Sequence, residues 1–410
     1  MSAQPELPAI LSFEDARHTV EQHAAQVTPV SKESVELLES YQRVLAIPVD
    51  ADRDFPPFRR AARDGYAVLA RDLAHLPARL EVVGEIRAGA PVDQIPNISS
   101  GQAAAIMTGA AAPQGADAVV MVEYTSLRGK QVTITKGISA GDNIVAIGSE
   151  AKRGDRLLSA GLRLDQAAIA VAASVGQERL LVYERPRVAV LATGDEIVDI
   201  GIQPGPTQIR NSNTYSLAAQ ILGAGGEPVL LPTAPDEAER LRELITDGLE
   251  ADLLLLAGGV SAGKYDLVEQ VLTQVGAEFF FTGAQIQPGK PIVFGRVGEK
   301  YFFGLPGNPV STMVTFELFV HPLLDALAGT APQKLVLLRA RLNSEIRTKL
   351  GLKRFLPANL SGEFEDAQVQ LVRWEGSGDI VSTARANCYI VIPPNRDHIP
   401  VGEWVPVLMR

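Results

Sequence analysis

The stretches VAVLATGDE (188–196), LLLLAGGVSAGKYD (253–266) and YFFGLPGNPVS (301–311) share one construction. Each is a short apolar run that stops at a glycine-rich turn. Runs this short, bounded by glycine, read as strands buried on both faces, as in a parallel sheet whose crossover helices lie between them. Such sheets take ligands at the carboxyl ends of their strands, where turns leave backbone N–H groups free and glycine lets an anion approach. One site built from three turns is the expectation.

Working outward, the segments between these runs carry helical periodicity. Leu241, Leu244, Ile245 and Leu249 fall on one face, and Val268, Val271, Leu272 and Val275 on another. Asp236 and Glu239 have the spacing of a capping box. Asn308 and Pro309 suit the cap and first residue of a helix, which Pro322 must end or kink. Toward the N-terminus, Ser12 is placed to cap a helix with Phe13, Ala16, Val20 and Ala24 inward. A second helix is predicted with Val35, Leu38, Tyr41 and Leu45 on its apolar face. After a proline-rich break at 47–58, alternation in LEVVGEIRAG (80–89), DAVVMVEYTSL (117–127) and KQVTITKG (130–137) predicts a β-rich unit over 51–149. A helical pattern at 164–175 is too short for a domain and is expected to pack back on the N-terminal helices. The β-rich unit is then an insertion. Beyond Gly329, KLVLLRARL, QVQLVRW, CYIVIPP and WVPVLM predict a small β-domain.

The chain has 410 residues, 46% of them apolar, which suits several hydrophobic cores. Its single cysteine, Cys388, forms no internal disulfide and reads as core, and five scattered histidines give no zinc spacing. A reducing cytoplasm is the expected compartment. No signal-peptide pattern opens the chain, and the longest apolar run, near 167–175, is too short to span a bilayer. A net charge of −10 without basic tails argues against nucleic acid or anionic lipid as partner. An anionic ligand therefore needs a local positive pocket.

Several residues carry candidate chemistry. Gly258, Gly259 and Gly263 suit an anion-binding turn, with Asp266 free at the following helix to hold Mg²⁺; a capped glycine turn is the equal alternative. Of the adjacent acids Asp195 and Glu196, side-chain divergence puts one toward the site and the other on a cap or in solvent; a solvated acidic turn is the reading of the motif taken alone. Lys290 follows a turn fixed by Pro288 and Gly289 and precedes Pro291, a constrained setting that can present an ammonium to an anion; a merely solvated lysine is the alternative. Asn308 serves either a heterocycle or a helix terminus. Arg59, Arg60 and Arg63 beside Asp64 bind phosphate or form a salt-bridged loop, and Thr108 precedes another glycine turn.

Taken in order, DGYAV (64–68), IMTGA and GADAVVMVE (106–123), TGDEI (193–197), GGVSAGKYD (258–266), PGKP (288–291), LPGNPVS (305–311), GSGDI (376–380) and ANCYIVIP (386–393) resemble the molybdopterin molybdenumtransferase family, which includes the gephyrin E domain. The resemblance implies a multidomain α/β protein. It has a central three-layer α/β molybdopterin-binding domain over 184–331 and a discontinuous helical N-terminal domain over 1–50 plus 150–183. An inserted β-rich domain over 51–149 and a small C-terminal β-barrel-like domain over 332–410 complete it. It implies a homodimer that uses Mg²⁺ to insert molybdenum from molybdate into adenylylated molybdopterin, releasing AMP, with a molybdopterin adenylyltransferase as upstream donor. By position, Asp64, Thr108, Glu196 and Asp266 are the implied catalytic residues, and Glu196 and Asp266 the metal ligands. Gly258, Gly259, Ser261, Gly263, Lys290, Pro291, Gly307, Asn308 and Ser377 are implied to bind the substrates. Asp64 and Thr108 are implied to face the partner subunit's α/β domain. A tungstate-preferring homologue and a non-catalytic cofactor-binding or scaffold protein are the alternatives, and an enzyme that adenylylates molybdopterin, which lacks the inserted and C-terminal domains, ranks last.

This chain departs from the family pattern at its cations. Arg59, Arg60 and Ala61 stand where aspartate, asparagine and serine are common, NIVAIGSE (143–150) replaces an arginine-rich segment, and Gln287 replaces a lysine. An arginine is missing from its usual place near Lys353 and Arg354. The expectation is that Arg59, Arg60 and Arg63 restore charge that Val145 and Gln287 do not provide, since Coulomb attraction tolerates relocation better than bidentate bonding does.

Overall fold

The computed structural model describes residues 10–259 and 267–410. These fall into two compact units. One runs to Ala46, takes in Gly161–Asp165 and resumes over Arg179–Arg410; the other comprises Ile47–Ala160 and Gln166–Glu178.

In the first unit, the three glycine-bounded apolar runs are adjacent strands. Arg187–Ala192, Leu253–Ala257 and Lys300–Leu305 lie parallel, with Glu227–Leu230 parallel on the outer side of the first. The sheet is not wholly parallel. Val293–Val297 and Ala277–Phe281 extend it antiparallel, because the tight turn after Val297 returns the chain as a hairpin rather than through a crossover helix. Every residue of Leu253–Ala257 is buried, as a strand covered on both faces requires. Val188, Val190, Leu253 and Leu255 pack on one side with Leu217, Ile221 and Phe319. Ala189, Leu191, Leu254 and Leu256 pack on the other with Leu241, Leu244 and Val271. Each fully buried leucine contributes about 1.5–3 kcal/mol relative to exposure, so the two-sided apolar runs fix a three-layer arrangement.

The last helix of this layer bends for a chemical reason. Pro309–Thr315 is α-helical, Phe316–Val320 widens to a π-turn, and His321–Leu327 resumes the α-helix with Pro322 in its first turn. Pro322 has no N–H to give Leu318, and its ring crowds the preceding turn. Arg17 supplies the missing donor, its Nη1 bonding the Leu318 carbonyl at 2.6 Å and its Nη2 the Gln333 carbonyl at 2.9 Å. The run Pro309–Leu327 is also the one helix among the described residues long and apolar enough to cross a membrane by length and composition. It is 83% buried inside the protein, as a core helix is.

Arg17 lies on the helix Phe13–Ala24, which begins as predicted: Ser12 Oγ accepts the Asp15 N–H at 3.1 Å, and Phe13, Ala16, Val20 and Ala24 are buried. The predicted second helix is absent. Lys32–Glu36 is a strand pairing antiparallel with Arg179–Tyr183, followed by a short 3₁₀ turn at Leu37–Ser40. Leu38 is 81% exposed, so its helical spacing was coincidental and the strand partner decided the conformation.

The C-terminal part of this unit is a closed ring of five strands. Lys353–Ser361, Gln368–Leu371, Leu337–Leu342, Trp404–Met409 and Cys388–Ile392 pair in that order, and Cys388–Ile392 pairs back onto Lys353–Ser361. The nine-residue Lys353–Ser361 strand was not read from the sequence, because Pro357 interrupts its alternation. The two-residue strand Ile286–Gln287 joins its edge in parallel, setting Gln287 opposite Arg354.

The second unit is a six-stranded sheet in the order Ala118–Met121, Gly65–Val68, Gln102–Ile106, Ala78–Ile86, Gln131–Ile134 and Thr125–Arg128. Gly65 is forced by packing, since a Cβ there would lie 1.8 Å from the Val120 carbonyl oxygen. The helix Gln166–Ser174 belongs to this unit.

Candidate functional site

At the carboxyl ends of the parallel strands lies a cavity of about 740 Å³. Its walls come from the segments following the three strands. Thr193 and Glu196 follow the first, Gly258 and Gly259 the second, and Gly307 and Asn308 the third.

The second turn admits only glycine. Gly258 and Gly259 hold φ values of +102° and +64°, where side chains are strained, and a Cβ on either would press within 3 Å of Thr193. The same closeness brings the third turn in, for a Cβ on Gly307 would sit 3.6 Å from the Gly258 Cα. Bare backbone thus lines the part of the cavity where an anion could approach most closely.

Polar side chains surround it. Asn308 caps the helix beginning at Pro309, yet its side chain makes no capping bond. Its Nδ2 instead donates to Ser377 Oγ at 2.8 Å, while Val310 N–H donates to the Ser377 carbonyl at 3.0 Å, and Gly378 completes that wall. Asn213 Nδ2 donates to the Gly307 carbonyl at 2.7 Å. Among the described residues, the buried Thr193 Oγ1 and Asn213 Oδ1 have no hydrogen-bond partner. Buried polar atoms left open in a cavity are places for a ligand's donors, because unmet desolvation is costly. Asn211 is structural: its Oδ1 takes the Thr214 N–H at 3.1 Å and its Nδ2 reaches Thr233 Oγ1 at 3.2 Å.

Glu196 lines the cavity, and Asp195 Oδ1 accepts the Asp236 N–H at 3.1 Å. Asp236 does not form the predicted capping box, since Glu237 is the cap of the helix Ala238–Gly248 and offers no side-chain bond. Partial burial, together with the carboxylates of Asp195 and Glu196, pushes the Asp236 carboxyl above its ordinary value. A carboxyl raised in this way by its carboxylate neighbours marks a place where a cation is favourable. No three metal-ligating side chains form a ready cage among the described residues. Mg²⁺ needs none, because it keeps waters and takes one or two carboxylates plus substrate phosphate. The acids present fit such an ion.

Pro291 is in the cavity wall, and the Lys290 side chain is exposed next to it in the chain. The Lys290 backbone is fixed, its carbonyl accepting both Ala284 and Ile292 N–H at 3.0 Å. Ser261, Gly263 and Asp266 lie outside the described residues.

In the second unit, Asp64 and Thr108 meet directly. Asp64 Oδ1 accepts the Thr108 N–H at 2.6 Å and its Oγ1–H at 2.9 Å. The backbone bond first, then the hydroxyl bond, hold the exposed Asp64 carboxyl below its ordinary value. The nearby arginines are partly committed. Arg60 stands opposite Val145 across an antiparallel pair and binds Glu150 at 2.9 Å, and Arg59 donates to the Ala116 carbonyl at 3.0 Å. Arg63 is exposed and forms no ion pair or hydrogen bond among the described residues. Cys388 is buried in the C-terminal barrel with its thiol pushed up to about 11, which makes it core rather than nucleophile.

Sequence reasoning missed Thr193, Asn213 and Asp236. The polar cluster NSN (211–213) at the start of a helix carried a signal, but side-chain orphans are visible only when three turns are assembled.

Comparison with known proteins decides the family. Residues 11–176 match the MoeA N-terminal region, domains I and II; 189–326 match a probable molybdopterin binding domain; and 339–409 match the MoeA C-terminal region, domain IV. A molybdopterin molybdenumtransferase of Nostoc sp. is 35% identical over 92% of this chain and 88% of its own length. The chain belongs to the molybdopterin molybdenumtransferase family. A Haemophilus influenzae member is 34% identical over 92% of this chain and 94% of its own. The crystal structure of a molybdopterin biosynthesis moeA protein from Pyrococcus horikoshii superposes with a TM-score of 0.80 at 28% identity, covering 98% of this chain and all of that one. Membership makes the chain a molybdopterin molybdenumtransferase, an enzyme of molybdenum cofactor biosynthesis. The multidomain α/β expectation agrees with the observed sheet and barrel.

Proposed function

We propose that this enzyme inserts molybdenum from molybdate into adenylylated molybdopterin and releases AMP in an Mg²⁺-dependent reaction. The phosphate anhydride to the adenylyl group is hydrolysed, and two dithiolene sulfurs replace oxygen on molybdenum, the displaced oxygen leaving as water. The observation that carries the reading is one cavity in which a glycine backbone cradle faces an acidic group at Glu196, with Asp195 and Asp236 adjoining.

The residues divide the work by chemistry. Backbone around Gly258, Gly259 and Gly307 receives phosphate, while the open oxygens of Thr193 and Asn213 meet the donors of the pterin. Asn308 orients Ser377, whose hydroxyl is then directed toward the oxyanion substrate. Lys290 supplies positive charge beside Pro291. Glu196, with Asp266, would hold Mg²⁺, which neutralises phosphate charge as the anhydride breaks. Glu196 also orients water, and Thr193 and Asn213 fix the pterin so that its sulfurs present to molybdate.

The enzyme acts as a homodimer in which Asp64 and Thr108 of one subunit complete the cavity of the other. Their mutual hydrogen bonds keep Asp64 ionised and pointed, which suits a group that must meet a substrate rather than fold a core. The adenylylated substrate comes from a molybdopterin adenylyltransferase, and the enzyme works in the cytoplasm.

The deciding experiment incubates purified enzyme with adenylylated molybdopterin, Mg²⁺ and either molybdate or tungstate, and follows AMP. AMP release is expected to require molybdate and Mg²⁺. Glu196→Gln is expected to raise the Mg²⁺ requirement about 10- to 100-fold, the usual scale for disturbing a metal's surroundings. AMP release indifferent to both Mg²⁺ and Glu196 overturns the reading, and release with tungstate alone reassigns the oxyanion.

A further inference from the structure

A second cavity, of about 820 Å³, lies at the opposite edge of the same sheet, where the parallel strands begin. Arg187 opens the first strand, Asp252 precedes the second, and Lys300 and Tyr301 open the third. The segment 26–31, between the N-terminal helix and the Lys32–Glu36 strand, forms its other wall. Open α/β sheets bind their ligands at the carboxyl edge, so this edge has no part in the reaction proposed above.

The charges lining this cavity leave a specific imbalance. Lys300 Nζ is spent on the Ala251 carbonyl at 2.8 Å, and Arg296 on Glu278 at 2.7 Å. Asp252 accepts the Arg187 N–H at 2.8 Å, and Glu33 is paired with Arg43. The remaining carboxylates, Glu184, Glu227 and Glu299, are exposed and form no ion pair with a guanidinium of this cavity among the described residues. Two guanidinium side chains, Arg185 and Arg187, have no ion pair or hydrogen bond among the described residues. Arg185 is half-buried; burial first, then the guanidiniums of Arg43 and Arg163, disfavour its charged form, against the pull of the Glu33 and Glu227 carboxylates. Arg43 and Arg163 have their own acceptors, the carbonyls of Tyr183 and Gln42 and the carboxylates of Glu33 and Asp325. Arg185 is the one left without.

A half-buried guanidinium with no bonded acceptor keeps its N–H donors free for the oxygens of a ligand. A guanidinium offers the planar fork that matches phosphate or carboxylate. Val27, Leu327 and Tyr301 give the cavity an apolar side. Tyr301 is itself fixed by the His23 ring nitrogen at 3.3 Å, so this side is rigid.

We propose that this cavity is a second ligand site, distinct from the catalytic one. It takes a small molecule that bears a phosphate or carboxylate group on Arg185 and Arg187 and lays an apolar portion against Val27, Leu327 and Tyr301. The site requires no chemistry of its ligand, only its negative charge and its size.

The test titrates the full-length enzyme by calorimetry with pyrophosphate and, separately, with citrate, to distinguish the two oxyanion sources. Binding of at least one probe is expected to survive Lys290→Ala, which disturbs the catalytic cavity. It is expected to weaken at least tenfold in the double variant Arg185→Gln, Arg187→Gln. In parallel, wild-type enzyme is treated with phenylglyoxal, and modified arginines are identified by mass spectrometry. The binding probe is expected to protect Arg185 selectively. Binding by neither probe, binding lost with Lys290→Ala, or Arg185 modified equally with and without probe each overturns the proposal. The protection measurement decides the matter even where the double variant fails to fold.

Discussion

Asn308 and Ser377, 69 residues apart, are joined by a 2.8 Å hydrogen bond from Nδ2 to Oγ, tying the turn after the third parallel strand to the C-terminal segment. The bond uses the cap residue's side chain for something other than capping. A loop that precedes an α-helix in the barrel domain is thereby held at the rim of the α/β cavity. Ser377→Ala is expected to raise KM for molybdate about fivefold, the scale of one hydrogen bond near 1 kcal/mol, with thermal stability unchanged. A lowered kcat with unaltered KM would contradict placement at the oxyanion.

The acid group at Asp195, Glu196 and Asp236 makes a pH prediction. Because the folded-state carboxyl of Asp236 is raised, its ionisation is harder in the folded protein than in the unfolded chain. Stability from this group is greatest below its unfolded value of about 3.8 and declines as pH rises through its folded value. Asp236→Asn is expected to raise Tm at neutral pH without Mg²⁺, and to shrink the Tm gain that Mg²⁺ gives the wild type. A Tm at neutral pH unchanged by the substitution would mean the three acids do not feel one another.

His321 makes the opposite prediction. Its imidazole sits between Glu317 at 3.6 Å and the buried Asp325 at 3.9 Å, with Arg163 opposing. The Glu317 bond first, then the Asp325 charge, raise its folded value above 6.5 despite burial. That stabilisation is complete below pH 6.5 and is lost as pH rises through the folded value. Tm followed from pH 6 to 9 is expected to fall in the wild type, and to fall less in His321→Gln. Parallel curves for the two proteins would remove the imidazole from the account.

Arg17 predicts a stability effect without a catalytic one. Arg17→Met keeps much of the stem's packing but leaves the carbonyls of Leu318 and Gln333 without donors. One stranded buried acceptor and one half-buried acceptor that water can reach cost about 2 kcal/mol together. Urea denaturation measures this, and a loss below about 1 kcal/mol would show that water replaces the guanidinium.

Thr108 tests the inserted unit. Thr108→Val removes the hydroxyl bond to Asp64 but keeps the backbone one, so activity is expected to fall while the fold persists. Thr108→Ser is expected to restore most of it. Equal activity in all three proteins would make the pair structural.

Much of this was legible before any coordinates. The three apolar runs determined the adjacent parallel strands, because residues covered on both faces leave no polar alternation to misread. Glycine at 258 and 259 announced a turn that backbone geometry then required. Ser12 and Asn308 announced helix starts, because capping depends on a few neighbouring atoms. Tertiary structure alone decided what long-range partners decide. The segment at 32–36 became a strand because Arg179–Tyr183 offered it hydrogen bonds, and the antiparallel edge and the barrel's closure are likewise pairings between distant segments. Asn308 turned its side chain to Ser377, and Thr193 and Asn213 were left open, only once three separate turns met. Local sequence specifies local conformation through sterics and nearby hydrogen bonds. Which polar groups remain unpaired depends on every segment that arrives, and that is a property of the assembled fold.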